Sequence, residues 1–301
     1  MRTAGILAAH LLLAAAVLGC RAIATAQPTD PAQAERDETA KTADHGPVER
    51  DETSRALEHA LVRQGGLVLR PRAVELEPEL DYLYRETDAV RRDTLTGTIS
   101  GRIGLPLGAQ ADARVPYVIA DASPGFRARS GLGDLALGLT KQLLVGGPGA
   151  PLPDLLLAAR WKTTSGASAG DRAPGSGTHT IQALFTAVRR DDPLVLVGTV
   201  YYLWSLRSGD VERGDAAGVI LRTLLAATPD TSLLVGFDVA SVFATKVQGV
   251  TVPGTDRLSG ILNVGLYTVM ARDVFLNVTV GVGVTPAAPD FELTVALPFR
   301  L

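Results

Sequence analysis

Past its N-terminal apolar stretch, this chain offers little that could do covalent chemistry. Of four histidines, His10 lies within that stretch, which leaves His45, His59 and His179. A hydrolytic site needs a nucleophile, an adjacent base and a group that orients the base. His179 stands between Thr178 and Thr180 at a strand start with no nearby Ser-x-Asn arrangement, so the sequence predicts no enzyme and no catalytic residue. The single cysteine, Cys20, leaves the rest of the chain without a disulfide, a thiolate nucleophile or a cysteine metal site. Glu75, Glu77 and Glu79 share one face. Same-face neighbours on a strand stand about 7 Å apart, too far for a compact calcium site, so no metal and no cofactor is expected. Gly281 and Gly283 lack the Lys-Ser/Thr and the following helix of a phosphate loop; they read as inward glycines bordering open space.

What remains is a set of polar side chains recurring on one face of successive segments: Glu75, Glu77, Glu79, Asp81, Arg102, Asp112, Arg114, Asp134, Arg160, Lys162, Arg222, Asp238, Asn277, Glu292 and Arg300. On the inside of a barrel, charges of both signs either pair and hold the wall closed or line a water-filled pore, and both readings stay open. Glu75 to Asp81 on one segment and Arg160 with Lys162 on another would set up a transverse field across such a lumen.

The elements that must position these residues have a period of two from about Leu67 onward. Twelve segments qualify as strands: Ala73–Arg85, Thr94–Leu105, Gly108–Ile119, Gly133–Leu144, Asp154–Thr164, His179–Arg189, Leu194–Leu206, Ala217–Ala227, Ser232–Thr245, Ser259–Ala271, Val274–Thr285 and Phe291–Leu301. Strands of soluble proteins are usually about five or six residues long, whereas a tilted strand crossing a bilayer needs about nine to eleven. The first segment sets Val74, Leu76, Leu80, Tyr82 and Tyr84 against Glu75, Glu77, Glu79, Asp81 and Arg85. In the eleventh, Val274, Leu276, Val278, Val280, Val282 and Val284 oppose Asn277, Thr279, Gly281 and Gly283. Alternation alone does not say which face is inside.

The links supply an asymmetry. Glu86–Asp93, Ala120–Leu132, Ser165–Thr178, Arg207–Ala216 and Lys246–Leu258 are long and polar, with Pro286–Asp290 shorter. Pro106-Leu107, Arg190–Pro193, Thr228–Thr231 and Arg272-Asp273 are tight, with Val145–Pro153 the exception. Short turns at one end and long loops at the other describe an all-β, transmembrane up-and-down antiparallel barrel of an outer membrane, its turns periplasmic. Several aromatics, among them Tyr84, Trp161, Trp204, Phe243 and Phe291, fall near segment ends, as an interfacial girdle requires. Twelve strands leave a narrow lumen, which the loop Ser165–Thr178 or the N-terminal segment could block.

Residues 1–26 read as an export signal: Arg2, an apolar run from Ile6 to Gly19, and an A-x-A site at Ala24-Thr25-Ala26. Val17-Leu18-Gly19-Cys20 offers a rival cleavage box that would make Cys20 a lipidation site. Residues 27–66 form a periplasmic leader with a short helix, capped by Asp51 or Thr53, whose Ala56, Leu57, Ala60 and Leu61 share a face before Gly65-Gly66. The barrel occupies 67–301. A net charge of −3 without basic–aromatic clusters excludes nucleic acid, and no apolar run beyond the signal is long enough for a membrane helix.

In "SGLGDLALGLTKQLL" (Ser130 to Leu144), Gly131, Gly133 and Asp134 form a G-x-G-D strand opening; the next segment runs into Thr164-Ser165-Gly166; and Gly175, Gly177 and Thr178 restart the following one. These features resemble the outer-membrane family of MetA-pathway phenol-degradation-like proteins and transporters, across about Leu67 to Leu301. The chain departs from outer-membrane barrels in ending on Leu301, with Phe299 two residues earlier. The resemblance implies passive passage of small solutes, hydrophobic or aromatic ones among them, through the outer membrane of a Gram-negative bacterium, with the lipid bilayer and the outer-membrane assembly machinery as partners. The alternatives are a non-conducting scaffold or adhesion barrel and a soluble secreted binding barrel.

Overall fold

A computed structural model describes residues 57–87, 90–122, 129–146, 152–166, 174–191 and 193–301. The proposed signal, Cys20, the candidate helix caps Asp51 and Thr53, and the centre of the loop Ser165–Thr178 lie outside these residues.

Twelve antiparallel strands form one ring: β1 (Val74–Thr87), β2 (Val90–Leu105), β3 (Ala109–Ala122), β4 (Ala136–Leu144), β5 (Asp154–Lys162), β6 (Thr180–Asp191), β7 (Leu194–Ser205), β8 (Ala216–Thr228), β9 (Thr231–Val242), β10 (Arg257–Ala271), β11 (Val274–Gly283) and β12 (Phe291–Ala296). Each pairs with the next, and β12 closes on β1 from Glu79↔Ala296 to Tyr84↔Phe291. Leu297-Pro298 interrupts β12, since proline donates no hydrogen bond, and Phe299–Arg300 resumes the pairing with β1. Closure leaves no free edge, the condition for a sheet to stand in lipid with every backbone group paired. No helix among the described residues is long and apolar enough to cross a membrane.

The expected alternation holds, and the ring settles its direction. Leu139, Val200, Leu221, Val235 and Val264 are exposed on the outside, whereas Glu75, Arg102, Asp112, Thr199 and Asn277 are buried inside. A soluble barrel would have the reverse polarity. Trp161, Tyr202, Trp204 and Phe243 cluster at one end of the ring, with Tyr202 and Trp204 ring centroids 4.8 Å apart, a girdle at the loop end.

Turns at the opposite end are tight. In Pro106–Gly108, Leu107 and Gly108 take φ of 62° and 67°; glycine adopts this readily and the exposed leucine does so under strain. The link expected to be long at Glu86–Asp93 is corrected to residues 88–89, because β1 and β2 stay paired from Arg85↔Arg92 to Thr87↔Val90. Backbone pairing does not need apolar side chains, so a charged stretch prolongs the hairpin. The true long links carry structure of their own: Arg129–Leu132 folds back on β3, and Val211–Glu212, Lys246–Val247 and Val250–Thr251 make a small sheet.

Candidate functional site

The lumen has two unlike halves. At the turn end, a helix α1 (residues 57–63) lies inside the ring. Its Ala60 and Leu61 join Leu156, Val188, Val195, Val197, Leu224, Leu234 and Tyr267 from β5 to β10 in one buried apolar cluster. The chain leaving the helix hugs the wall: a Cβ on Gly66 would come within 2.9 Å of Val188 Cγ2. Seven inward positions that alternation alone would assign to a lumen are thus core, with the helix as their partner.

The other side of α1 is ionic. His59 stacks on Phe275 at 4.0 Å between ring centroids, and its Nε2 lies 3.2 Å from Glu75 Oε2. Arg63 donates to Glu77 and, at 2.5 Å, to Glu79. Arg102 on β2 bridges Glu75 at 2.6 Å and Glu77 at 2.7 Å. Arg300 stands 3.4 Å from Glu58 and 3.7 Å from Glu75. Gln64 donates to the Tyr267 hydroxyl at 2.6 Å. Four helical residues rise about 6 Å and two strand residues about 6.6 to 6.8 Å. The spacing of His59 and Arg63 therefore matches that of the alternate glutamates on β1, and each of the two side chains meets a carboxylate one step along. Glu75, Glu77, Glu79, Arg102 and Arg300 all face inward as expected, but they fasten a helix.

The loop-end half is less filled. On one wall, Arg222 and Asp238 pair, the Nη2–Oδ2 contact being 2.6 Å; Asn263 donates to Asp238 at 3.2 Å, and Thr294 donates to Asp81 at 2.6 Å. Glu292 is also on this wall, half-buried. On the other wall, across β3 to β5, stand Asp112, Arg114, Arg160 and Lys162, with Arg114 Nε 4.0 Å from Asp112. Each wall carries both signs, Arg222 beside Asp238 on one and Asp112 beside Arg114 on the other, and Glu75, Glu77 and Glu79 are paired with Arg63, Arg102 and Arg300 and contribute little to any field. Asn277, also inward, is 2% exposed and its amide has no hydrogen-bond partner among the described residues.

The expectation of open space beside the inward glycines is corrected. Gly281 does not border open space: a Cβ there would meet Asn263 Oδ1 at 2.9 Å and Ile261 Cγ2 at 3.1 Å, and one on Gly283 would meet the Pro289 carbonyl oxygen at 2.1 Å. Inward glycines make room for neighbours, as where Tyr201 lies over Gly218 and Arg222 over Gly236. Asp134 precedes β4 and stands 3.9 Å from the inward Lys162. Its carboxylate accepts from Ser176 N and Oγ, both at 2.6 Å, and from Gly166 N at 3.1 Å, clamping the two ends of the loop that was the expected plug. Burial would raise the Asp134 pKa, but these donors and Lys162 hold it below the ordinary carboxylate range.

His59, Arg63 and Gln64 are the site residues that strand periodicity missed. The signal that reveals them is the matched spacing of His59 and Arg63 on the helix and the alternate glutamates on β1.

No family model matches the sequence. Among solved structures, the fold is similar to an outer-membrane channel from Pseudomonas putida F1, with a TM-score of 0.70 at 13% identity, covering 78% of this chain and 97% of that one. It is also similar to the translocator domain of the autotransporter NalP from Neisseria meningitidis, with a TM-score of 0.52 at 11% identity, covering 88% and 98%. At these identities the likeness is one of fold: a closed twelve-strand barrel of the outer-membrane type.

Proposed function

We propose that the chain is an outer-membrane channel for passive passage of small solutes, with its turns in the periplasm and its loops outside. The observation that carries this reading is the divided lumen: a polar, half-exposed vestibule at the loop end, closed at the turn end by a helix held through side-chain contacts. The wall itself is complete without α1, because every strand pairs with its neighbours. A plug fastened in this way can be released without opening the barrel. The vestibule also carries Leu83, Tyr201, Leu203, Ile220 and Ile261 on inward, half-buried positions, which favours solutes with an apolar or aromatic body.

The test is conductance in planar bilayers. Replacing Arg63 and His59 together with alanine removes both helix side chains that meet the β1 glutamates, and should raise single-channel conductance several-fold over the parent chain. Equal conductance in the two, with heat-modifiable gel migration showing both folded, would overturn the role of the helix. Absence of any conductance in either would leave the scaffold reading in place of the channel.

A further inference from the structure

Among the described residues, most inward guanidinium groups have a carboxylate oxygen within 4.0 Å, and Arg160 is an exception. Arg63, Arg102, Arg222 and Arg300 each have a carboxylate oxygen within 4.0 Å, as does Arg190, 2.7 Å from Asp154. Arg160 makes no hydrogen bond and no ion pair with any described residue, and its Nε is buried without a partner. Arg114 Nε is likewise buried without a hydrogen bond, its nearest carboxylate oxygen, on Asp112, being 4.0 Å away. A guanidinium carries five donors and no acceptor, and leaving such a group unmatched in a partly desolvated place is unfavourable.

The register places these groups together. Arg160 faces Gly138 on β4, and Gly138 has no side chain because Asp112 lies across it: an added Cβ would sit 2.4 Å from Asp112 Oδ1. Lys162 follows Arg160 on the same face of β5, one step nearer the loop end. There it lines a cavity of about 300 Å³ with Pro116, Val118, Asp134, Pro174 and Arg213. Arg114, Arg160, Lys162 and Arg213 are four cations against the carboxylates of Asp112 and Asp134. Asp134 is already occupied by three hydrogen bonds from Ser176 and Gly166 and stands 3.9 Å from Lys162. The wall has an excess of positive charge and unmet donors, beside a cavity whose remaining lining is Pro116, Val118 and Pro174 together with Gly133, Gly175 and Ser176, with Arg160 one step below it.

We infer that the β3–β5 wall is a binding site for a small carboxylate with an apolar body, such as a simple aromatic acid. Its carboxylate is held by Arg160 and Lys162, and its apolar part lies against Pro116, Val118 and Pro174. Planar bidentate pairing suits a guanidinium to a carboxylate, and the cavity is at the small end of ligand-site volumes. This rests on the channel reading above for its purpose, since it names the class of solute, but the binding itself can be measured without conduction.

The experiment titrates the full chain, folded in detergent, with benzoate, benzyl alcohol and inorganic phosphate, followed by calorimetry or ligand-observed NMR, beside Arg160→Gln/Lys162→Gln and the turn-end control Arg189→Gln. Benzoate should bind the parent and the control, and bind the double variant at least about tenfold more weakly, since charge-assisted hydrogen bonds are lost. Unchanged benzoate affinity in a double variant that retains heat-modifiable migration would overturn the site. Benzyl alcohol binding as tightly as benzoate would overturn the role of the charge, and phosphate binding as tightly would overturn the role of the apolar body. Conductance without benzoate binding removes the site and leaves the channel; benzoate binding without conductance does the reverse.

Discussion

Glu77 and Asp238 are both inward carboxylates paired with arginine, yet one is 2% and the other 31% exposed. Glu77 lies in the turn-end half, between Arg102 and the helical Arg63. Asp238 stands in the loop-end half, beside Arg222 and Asn263. The same alternation built both positions, and what separates them is whether a second element enters the ring. Where α1 fills the lumen, charges must find partners or be unfavourable; where nothing fills it, solvent takes that part.

The sharpest way to break this comparison is to neutralise each carboxylate. Glu77→Gln leaves two buried guanidinium groups short of a partner and should destabilise the barrel by about 3–5 kcal/mol. Asp238→Asn makes the same change of charge near solvent and should cost about 1 kcal/mol or less. Urea midpoints read from the unfolding of heat-modifiable protein measure both, and equal shifts would erase the distinction between the halves.

An apolar version sharpens it. Leu224 and Ile220 are four residues apart on the inward face of β8; Leu224 is 0% exposed in the cluster around the helix, and Ile220 is half-buried in the vestibule. Leu224→Ala should cost about 2–5 kcal/mol, whereas Ile220→Ala should cost about 1 kcal/mol. If Ile220 proved as costly, the vestibule would be packed and the conduction path would have to lie elsewhere.

The wall was legible in the sequence because each strand reports its own two faces. That Val282 and Asn277 lie on opposite faces follows from position alone, and strand length with the asymmetry of the links then puts Val282 outside and the set from Glu75 to Glu292 inside. What fills the lumen was not legible in the same way. Leu156, Val195 and Leu224 are fully buried on a face that elsewhere mixes polar and half-buried apolar side chains, and their packing against Ala60 and Leu61 explains them. Glycine misled for a related reason. A missing side chain at Gly281 or Gly236 looks like space along its own strand, while the neighbouring strand fills it with Asn263 or Arg222. The Glu86–Asp93 stretch misled because charge was read as loop, although a hairpin beyond the apolar band pairs its backbone regardless of side-chain polarity. In each case the missing information was the identity of a neighbour distant in sequence.

The smallest expected effect tests the loop end by itself. Asp134 gathers Gly166 and Ser176 from the two ends of one loop, and its folded pKa is depressed. A depressed carboxylate contributes stability that is fully present above its unfolded value of about 3.9 and is lost as pH falls through the lower folded value. Amide exchange at Gly166 and Ser176, corrected for the intrinsic rate, should therefore show constant protection from neutral pH down to about 4 and lose it below. Asp134→Asn keeps an acceptor oxygen but has no titrating group, so its protection at the two amides should be weaker at neutral pH and free of the acid step. The clamp lies outside the ring, so neither the change of pH nor the substitution should move the protection of Leu224 or Tyr267 over the same range. If their protection fell together with that of the loop, the two halves would unfold as one unit, and the division of the lumen would have no counterpart in its stability.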